Sequence, residues 1–282
     1  MSETWAILSD IHGNIDALEV ALRDAEVQGA ERIVVLGDSV NYGAAAVEVI
    51  ERIVKVADVI LMGNHEKAVL HGEEGMSGPA GAGLAWTVKQ LSQSAAWQKL
   101  VDGVTFPEAC QKIFNGVQLV HASPRDPVLE YVWPGHSSYY LAFNDQIDSR
   151  LSRILAARSR QHCFCGHTHI PSVLLPYTER RMLKLLPWDR RLSFVGPQSI
   201  FFVPDTILRI QGLSQSPAII NPGSIGQPRD GRPEAAYALY DGDELRFRRV
   251  PYDIKAAQDR IRAMPIDVGA RDYLADRLAR GE

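Results

Sequence analysis

Five short fragments of the sequence carry side chains that commonly bind divalent metals. They are Asp10-x-His12, Gly37-Asp38, Gly63-Asn64-His65-Glu66, the single His121, and Gly166-His167-Thr168-His169. Carboxylate, imidazole and amide groups form an oxygen and nitrogen donor set without a thiolate, which suits Mn²⁺, Fe or Zn²⁺ better than a soft metal. Two such cations about 3.5–4 Å apart can stabilise both the attacking and the leaving oxygen of an in-line displacement. The residue types therefore favour metal-assisted displacement chemistry.

Each fragment taken alone has an ordinary structural explanation. Gly37-Asp38 is a common turn, and His121 alone is typical of a hydrogen-bonded histidine near a strand end. The Gly-His-x-His fragment is more specific, because two imidazoles one residue apart on an extended segment point to the same side. The metal interpretation gains its weight from the order of the five fragments and from the apolar run that precedes each one.

The first 65 residues alternate between short apolar runs and amphipathic stretches. The pattern predicts strands at 4–8, 32–36 and 59–62, and helices at 15–28 and 44–56. This β-α-β-α-β order implies parallel strands joined by right-handed crossovers. In open α/β sheets the ligand site lies outside the carboxyl ends of the strands. Asp10, Asp38 and Asn64 are therefore expected at one sheet edge.

The rest of the chain gives weaker signals. Helical pieces are predicted at 84–100, 141–160 and 253–280, a hairpin with an Asn115-Gly116 turn at 112–120, and strands at 163–164, 199–203, 207–210, 218–220, 235–240 and 245–250. We expect a single domain over 1–282. Its predicted decorations are a helical cap-like insertion at 72–106, a strand-rich arm or hairpin insertion at 173–217 and C-terminal helices at 253–282.

Composition excludes several classes of protein. Of 282 residues, 46% are hydrophobic and 23% charged, as in an ordinary globular protein. The net charge of −4 argues against a dedicated nucleic-acid binder. No apolar stretch approaches the roughly 20 residues of a membrane span, and no signal peptide is visible. Three cysteines, Cys110, Cys163 and Cys165, form no disulfide framework, so a cytoplasmic location is the expectation.

The ordered set D-x-H, G-D, G-N-H-E, H and G-H-x-H resembles the calcineurin-like metallophosphoesterase superfamily. Further stretches at 10–18, 37–43, 121–127 and 221–231 are similar to a bacterial branch of small phosphodiesterases and diadenosine-tetraphosphatase-like proteins. That branch more usually has Gly where this chain has Ala122. The resemblance implies an α/β fold, a four-layer α-β-β-α sandwich of two mixed sheets flanked by helices.

The resemblance also implies roles for individual residues. Asp10, His12 and His169 would bind one metal, Asn64, His121 and His167 the second, and Asp38 would bridge the two. A bridging hydroxide would then attack phosphorus. His65 would be catalytic, steadying the transition state and protonating the leaving alkoxide, because a histidine pKa lies near neutral. If the chain stays extended, His65 cannot easily share a metal with Asn64. Glu66 would either orient His65 or serve as a first-turn helix carboxylate.

Four residues are candidates for substrate binding. Arg125, four residues after His121, could bind a phosphate oxygen, or it could form a loop salt bridge with Asp126. Arg229 could contact substrate or belong to a surface turn. Asn41 and Tyr42 could line the pocket, or Tyr42 could cover the following helix. A basic segment at 178–193 is predicted to be a solvated hairpin, with a substrate-contacting arm as the alternative.

These features predict an enzyme that hydrolyses small nucleotide-like or organic phosphodiesters, with dinucleotide polyphosphates among the candidate substrates. The expected cofactors are two divalent ions, Mn²⁺ or Fe in preference to Zn²⁺. The expected partner is a small phosphorylated substrate and not a membrane; a homo-oligomer is also allowed. One alternative is a protein Ser/Thr phosphatase, although Asn41-Tyr42 stands where that relative has Asp-Arg. The other is a non-catalytic scaffold, although every expected ligand is present.

Overall fold

The computed structural model describes residues 3–72, 76–134, 145–177, 190–204, 209, 210, 213 and 216–282. Its helices are α1 (Ile15–Val27), α2 (Ala46–Val56), α3 (Asn64–His71), α4 (Gly78–Leu91), α5 (Ala95–Val101), α6 (Asp145–Ala156), α7 (Ile254–Arg262) and α8 (Val268–Arg280). A short 3-10 turn spans Glu108–Cys110. No helix within the described ranges is both long and apolar enough to cross a membrane.

The strands form two mixed sheets. They are β1 (Trp5–Leu8), β2 (Arg32–Val35), β3 (Val59–Ile60), β4 (Gln111–Phe114), β5 (Val117–Val120), β6 (His162–Phe164), β7 (Ser172–Pro176), β8 (Arg190–Val195), β9 (Ser199–Pro204), β10 (Arg209–Ile210), β11 (Ala218–Asn221), β12 (Ala235–Tyr240) and β13 (Leu245–Val250). The first sheet has the order β10-β13-β12-β1-β2-β3, and the second has the order β4-β5-β6-β11-β7-β9-β8.

The parallel strands predicted for the first 65 residues are present, and the second sheet contains a further parallel set that was not predicted. Strands β1, β2 and β3 run parallel, with Ile7 opposite Val34. In the second sheet β5, β6 and β11 run parallel. Strand β12 closes against β1 in the antiparallel sense. The carboxyl ends of the parallel strands are thus free to carry a site, as the first 65 residues predict.

Successive side chains of a strand point to opposite faces of the sheet, so one strand contributes to two layers of the core. Trp5 and Ile7 of β1 belong to a buried cluster between the two sheets, which also contains Phe164 and Phe202. Leu8, on the opposite face of β1, joins a second cluster under α1, α2, α4 and α5. A third cluster packs α6 against the outer face of the second sheet. The predicted four-layer α-β-β-α sandwich is confirmed, because one cluster fills the space between the sheets and the other two pack helices against their outer faces.

One predicted helix start is confirmed, and one predicted helix is divided in two. Asn14 is the N-cap of α1, and its side chain accepts a hydrogen bond from the backbone N–H of Ala17 at 3.1 Å. The predicted helix at 84–100 is two helices, because Ser94 caps a new helix by accepting from the N–H of Trp97.

Within the predicted insertion at 173–217, Phe201 and Phe202 of β9 are buried, so the described part is integral to the second sheet. The predicted division of the chain into domain and decorations stays a prediction.

Helices α7 and α8 form a hairpin with its own small core. Leu274 and Leu278 of α8 are buried with Ile261 of α7, and Tyr42 packs against this cluster from the loop after β2. Most of the basic segment at 178–193 lies outside the described residues, as do 141–144 of the predicted helix at 141–160 and 205–208 beside β10.

Candidate metal centre

The loops after five parallel strands converge on one buried cluster. Asp10 and His12 follow β1, Asp38 follows β2, His121 follows β5, and His167 and His169 follow β6. Asn64 begins α3, which follows β3. All seven of these side chains are at most 8% exposed. The sequence thus located the cluster, although its ligand roles stay a prediction.

Two groups of donor atoms within this cluster share one carboxylate. Donor atoms of Asp10, His12, Asp38 and His169 lie within 4.8 Å of one another, and so do those of Asp38, His121 and His167. The Oδ2 atom of Asp38 lies 3.4 Å from Nε2 of His121 and 3.9 Å from Nε2 of His12. The amide oxygen of Asn64 lies 3.2 Å from Nε2 of His121, which adds a donor to the second group.

Each of the four clustered imidazoles uses one ring nitrogen to anchor itself to a backbone carbonyl. These bonds are Nδ1 of His12 to Val40 O (3.1 Å), Nδ1 of His121 to Leu36 O (3.0 Å), Nε2 of His167 to Leu129 O (3.1 Å) and Nδ1 of His169 to Gln227 O (2.6 Å). A carbonyl can only accept, so the anchoring nitrogen carries the proton and the other nitrogen offers a lone pair to the cluster. Metal-binding histidines are commonly held in this way.

The converging lone pairs fit a pair of cations. The Nε2 atoms of His12 and His169 lie 3.0 Å apart although both rings place their proton on Nδ1. Nε2 of His169 also lies 3.3 Å from Oδ1 of Asp10. Electron-rich atoms this close repel each other unless a positive charge lies between them. The donor set, the shared Asp38 and the burial therefore fit a dinuclear divalent-metal site.

Burial controls the protonation of the cluster. Burial lowers the pKa of His12 and His169 well below the usual value and that of His167 to about 3, which keeps these rings neutral and able to bind metal. Burial opposes a charge on His121, but the carboxylate of Asp38 outweighs it and raises the pKa of His121 to about 9. A cation at this position would replace the proton on His121.

The backbone of the centre is strained in a way that the sequence did not predict. Five of the seven predicted ligands have φ between +49° and +66°. They are Asp10, His12, Asp38, His167 and His169. The extended segment expected at 167–169 is therefore wrong, and the left-handed backbone is what turns both rings inward. Left-handed non-glycine residues each cost about 1–3 kcal/mol and cluster at functional sites.

Glycines before two of the ligands make room for carboxylates. A Cβ on Gly63 would lie 2.2 Å from Oδ1 of Asp38, and one on Gly166 would lie 2.7 Å from Oδ2 of Asp10. Neither glycine has a left-handed backbone, so close approach is the reason for them. These contacts give the glycines of the Gly-Asn-His-Glu and Gly-His-x-His fragments a physical role.

His65 lies beside the cluster, and Asn41 holds it there. Nε2 of His65 is 3.9 Å from Oδ2 of Asp38, and Nδ1 is 3.0 Å from the amide Nδ2 of Asn41. Oδ1 of Asn41 accepts from the backbone N–H of Tyr42 at 2.7 Å, which fixes the orientation of the amide. Burial lowers the pKa of His65 to about 4, with Asp38 acting in the opposite direction.

Glu66 has a different role from the orienting one considered from the sequence. Its carboxylate accepts from the backbone N–H groups of Asp38 (2.9 Å), Ser39 (2.7 Å), Val40 (3.2 Å) and Gly63 (2.7 Å). Glu66 is a carboxylate of the first turn of α3, as one interpretation expected. It also joins the loop of Asp38 to the start of that helix. The extended chain assumed at Asn64-His65 is wrong, because both residues lie in the first turn of α3.

The other substrate candidates divide into two groups. Arg125 is 41% exposed and pairs with Glu130 at 3.4 Å, not with Asp126, whose carboxylate accepts from two backbone N–H groups. Arg229 is half-buried, and its charge lowers the pKa of His12, His65, His167 and His169. Tyr42 also borders the site, with its ring centroid 4.7 Å from those of His12 and His65.

Three residues near the site escaped the sequence analysis. Asn221 donates to Gly166 O at 2.7 Å and to Oγ1 of Thr168 at 2.6 Å, supporting the loop of His167 and His169. Tyr131 stacks on His167 with ring centroids 4.1 Å apart. Arg277 of α8 lies close enough to Arg229 for the two charges to interact. Of these three residues, only Asn221 lies in one of the stretches, 221–231, that resemble the bacterial branch of the superfamily.

The sequence profile described as calcineurin-like phosphoesterase matches residues 4–171 of this chain. An uncharacterized protein of Methanocaldococcus jannaschii is 30% identical over 279 residues, covering 95% of this chain and 97% of that protein. The crystal structure of a metallophosphoesterase from Sphaerobacter thermophilus covers all of both chains, with 28% identity and a TM-score of 0.74. A hypothetical protein of Pyrococcus horikoshii OT3 shares the fold, with 18% identity, a TM-score of 0.66 and coverage of 99% of this chain and 98% of its own.

Proposed function

Because the chain belongs to the calcineurin-like phosphoesterase family, we propose that it uses two divalent cations to hydrolyse small nucleotide-like or organic phosphodiesters. The observation that carries the proposal is the Asp38 carboxylate shared by two buried donor groups, with the His65 ring beside it. Manganese or iron is the expected metal, and zinc would also suit this donor set. The family supports metal-dependent phosphoester hydrolysis as the reaction class.

Seven side chains would hold the cations. Asp10, His12 and His169 would bind the first, Asn64, His121 and His167 the second, and Asp38 both. When bound, the cations would supply the Lewis acidity that activates water and neutralises charge on the phosphate oxygens. The protein's own part is to keep His12, His167 and His169 neutral by burial and to anchor all four imidazoles through backbone carbonyls.

His65 would act on the leaving alkoxide as a neutral ring that donates from its Nε2–H group, because burial lowers its pKa to about 4 and disfavours the imidazolium form. Since the amide of Asn41 donates to Nδ1, a neutral His65 carries its proton on Nε2, the nitrogen that faces Asp38 and the centre. Asn41 is thus a positioning residue in this proposal. Arg229, half-buried beside the same rings, would bind a phosphate oxygen of the substrate. Arg125 is a weaker candidate because Glu130 occupies its guanidinium.

The proposal is tested by hydrolysis of bis(p-nitrophenyl) phosphate with and without Mn²⁺. We expect metal-dependent turnover of this substrate. Because p-nitrophenolate leaves without being protonated, His65→Ala is assayed on a nucleoside 2′,3′-cyclic phosphate, whose leaving group is an alkoxide. There turnover should fall about 100-fold to 10,000-fold, the range for loss of a general acid, with metal content retained. Asn64→Ala should lower both turnover and metal content. His71→Ala is the matched control, because His71 lies at the exposed end of the same helix and should turn over normally.

The same experiment separates the two alternatives. A protein Ser/Thr phosphatase would leave the diester intact but release phosphate from a phosphoserine peptide, whereas a non-catalytic scaffold would bind metal and hydrolyse neither. Either result would contradict the proposal that the protein is a phosphodiesterase. p-Nitrophenyl phosphate, assayed in parallel, measures the preference between diesters and monoesters.

A further inference from the structure

Two half-buried arginines from distant parts of the chain meet at one side of the centre. Arg229 lies in the loop after β11, where its backbone N–H donates to His169 O at 3.3 Å and its Nη2 to Oε1 of Gln227 at 3.2 Å. Arg277 lies in the last turn of α8. Tyr42 packs against the buried cluster to which Leu274 and Leu278 of this helix belong.

Helix α8 is fixed to the Arg229 loop. The N–H of Gly231 donates to Gly281 O at 2.9 Å, directly after the end of α8. Gly281 has a left-handed φ of +65°, and a Cβ there would lie 2.4 Å from the backbone nitrogen of Arg232. Leu274 of the same helix is buried in the cluster against which Tyr42 packs. The position of Arg277 is therefore set by packing on both sides.

Carboxylates neutralise this arginine pair only in part. Arg277 donates from Nε to the main-chain oxygen of Glu282 at 2.8 Å, lies over the ring of Tyr273 at 5.6 Å and interacts with the charge of Glu282. Arg229 interacts with the charge of Asp10 and donates to the neutral amide of Gln227, but its Nε is buried without a hydrogen-bond partner among the described residues. Unpaired buried donors on a cation are costly, so an anion would stabilise them.

We propose that Arg229 and Arg277, with the hydroxyl of Tyr42, form a second anion subsite that receives an additional phosphate of the substrate. Tyr42 connects this subsite to the centre, because its ring lies against those of His12 and His65. The favoured substrate class is then a phosphoester that carries a second phosphate, such as an ester of a nucleoside diphosphate. This inference rests on the proposed function, since it assumes that the first phosphate lies at the metal centre.

Calorimetric titration tests the subsite without turnover. The Mn²⁺-loaded protein would be titrated with methylenediphosphonate, which has two anionic groups, and with methylphosphonate, which has one. We expect Arg277→Gln and Arg229→Gln to weaken methylenediphosphonate binding about tenfold to a hundredfold, as for loss of a charge-assisted hydrogen bond. Methylphosphonate affinity in Arg277→Gln should stay within about threefold, a change smaller than one such bond gives.

The matched control is Arg280→Gln, an exposed arginine one turn further along, whose guanidinium pairs with Glu282. It should bind both phosphonates as the native protein does. Arg277→Lys retains the charge and should recover part of the lost diphosphonate affinity, while equal melting temperatures exclude misfolding. Unchanged diphosphonate binding in Arg277→Gln, or equal weakening for both ligands, would overturn the subsite.

Failure of the subsite can be distinguished from failure of the proposed function. A protein that hydrolyses bis(p-nitrophenyl) phosphate but shows no effect of Arg277→Gln on either ligand has the activity without the subsite. A protein that discriminates between the phosphonates but hydrolyses no ester has the subsite without the activity.

Discussion

The amide of Asn41 determines which ring nitrogen of His65 carries the proton. Nδ1 accepts from Asn41, so the proton of the neutral ring resides on Nε2, and Oδ1 of Asn41 cannot exchange places with Nδ2 without losing the N–H of Tyr42. The sequence left open whether Glu66 orients His65 or is a first-turn helix carboxylate. In the structure Asn41, three residues after Asp38, contacts the His65 ring.

At this scale we predict the effect of removing the Asn41 amide. Asn41→Gly keeps the left-handed backbone at φ +68° without strain and deletes the donor. Turnover should fall about 10- to 100-fold, with metal content and KM nearly unchanged, because only the orientation of the general acid is lost. Steady-state kinetics and elemental analysis measure both quantities. Asn41→Asp should not recover the rate, because a carboxylate accepts from Nδ1 of His65 and cannot donate to it. A purely structural role for Asn41 would instead lower metal content and rate together.

The turn after each parallel strand is the functional unit at the scale of elements. The clustered residues after β1, β2 and β6 have a left-handed backbone, and the loop after β2 is held by one buried carboxylate. The Glu66 carboxylate accepts hydrogen bonds from four backbone N–H groups, three in that loop and one just before α3. A single acidic side chain therefore fixes the position of Asp38 relative to Asn64.

We expect Glu66→Gln to destabilise the protein by about 2–4 kcal/mol, because an amide replaces one acceptor oxygen with a donor that faces backbone N–H groups. Urea unfolding in the presence of Mn²⁺ measures the free energy of unfolding. Glu48, an exposed first-turn carboxylate of α2, provides the control, and Glu48→Gln should change stability by less than about 0.5 kcal/mol. Equal stability of the two variants would contradict the role of Glu66.

A second element-scale prediction concerns the attachment of α1 to its sheet. Asp24 accepts from the hydroxyl of Tyr237 at 2.6 Å and from Arg248 at 2.8 and 3.0 Å. Partial burial raises the pKa of Asp24, but the hydrogen bonds from Arg248 and Tyr237 outweigh it and leave the pKa below the usual value. The carboxylate therefore stabilises the fold above the unfolded-state pKa of about 3.9, and this stabilisation is lost as pH falls through the lower folded-state pKa.

Asp24→Asn should accordingly cost about 1–2 kcal/mol at pH 7, allowing for solvent screening of a partly exposed pair. The difference between variant and native protein should shrink as pH falls below about 4, because the unfolded chain then binds a proton at Asp24 before the native carboxylate does. Thermal unfolding at pH 7, 5 and 3.5 measures it. A difference that stays constant over this range would show that ionisation of Asp24 does not matter.

At the scale of the whole molecule, metal binding and stability should be coupled. The sandwich brings the carboxylates of Asp10 and Asp38 into one dry cluster, where each is at most 1% exposed. Burial raises the pKa of Asp10 to about 7, and the charge of Asp38 adds to this effect. Cations would relieve the repulsion, so the folded protein is expected to be more stable with them than without them.

Chelation should therefore lower the melting temperature. At a metal concentration 100-fold above Kd the stabilisation is about 2.7 kcal/mol, which corresponds to about 5–10 °C for a chain of this size. Differential scanning calorimetry before and after EDTA treatment measures the shift, with elemental analysis to confirm removal. Asp38→Asn, which lacks the shared carboxylate, should show a much smaller shift. An unchanged melting temperature after complete removal would mean that the metals add nothing to stability.

The sequence by itself determined the elements and the edge at which the chemistry lies. Apolar runs ending in Asp10, Asp38 and His121 specify strands, and parallel strands must bring their carboxyl ends to one side. The N-cap at Asn14 could be predicted because it depends on residues that are neighbours within one element. The family and the four-layer sandwich were predicted from the resemblance of five ordered fragments between residues 10 and 169.

Only the tertiary structure decided how the side chains are held and what surrounds them. The left-handed turns at His167 and His169, the amide of Asn41 on His65, and the meeting of Arg229 with Arg277 left no periodic signal in the chain. Such contacts join loops and helices that are far apart in sequence, and their geometry depends on how the sheets and the α7–α8 hairpin pack. Spacing along a chain fixes the neighbours within an element, whereas packing fixes the neighbours between elements.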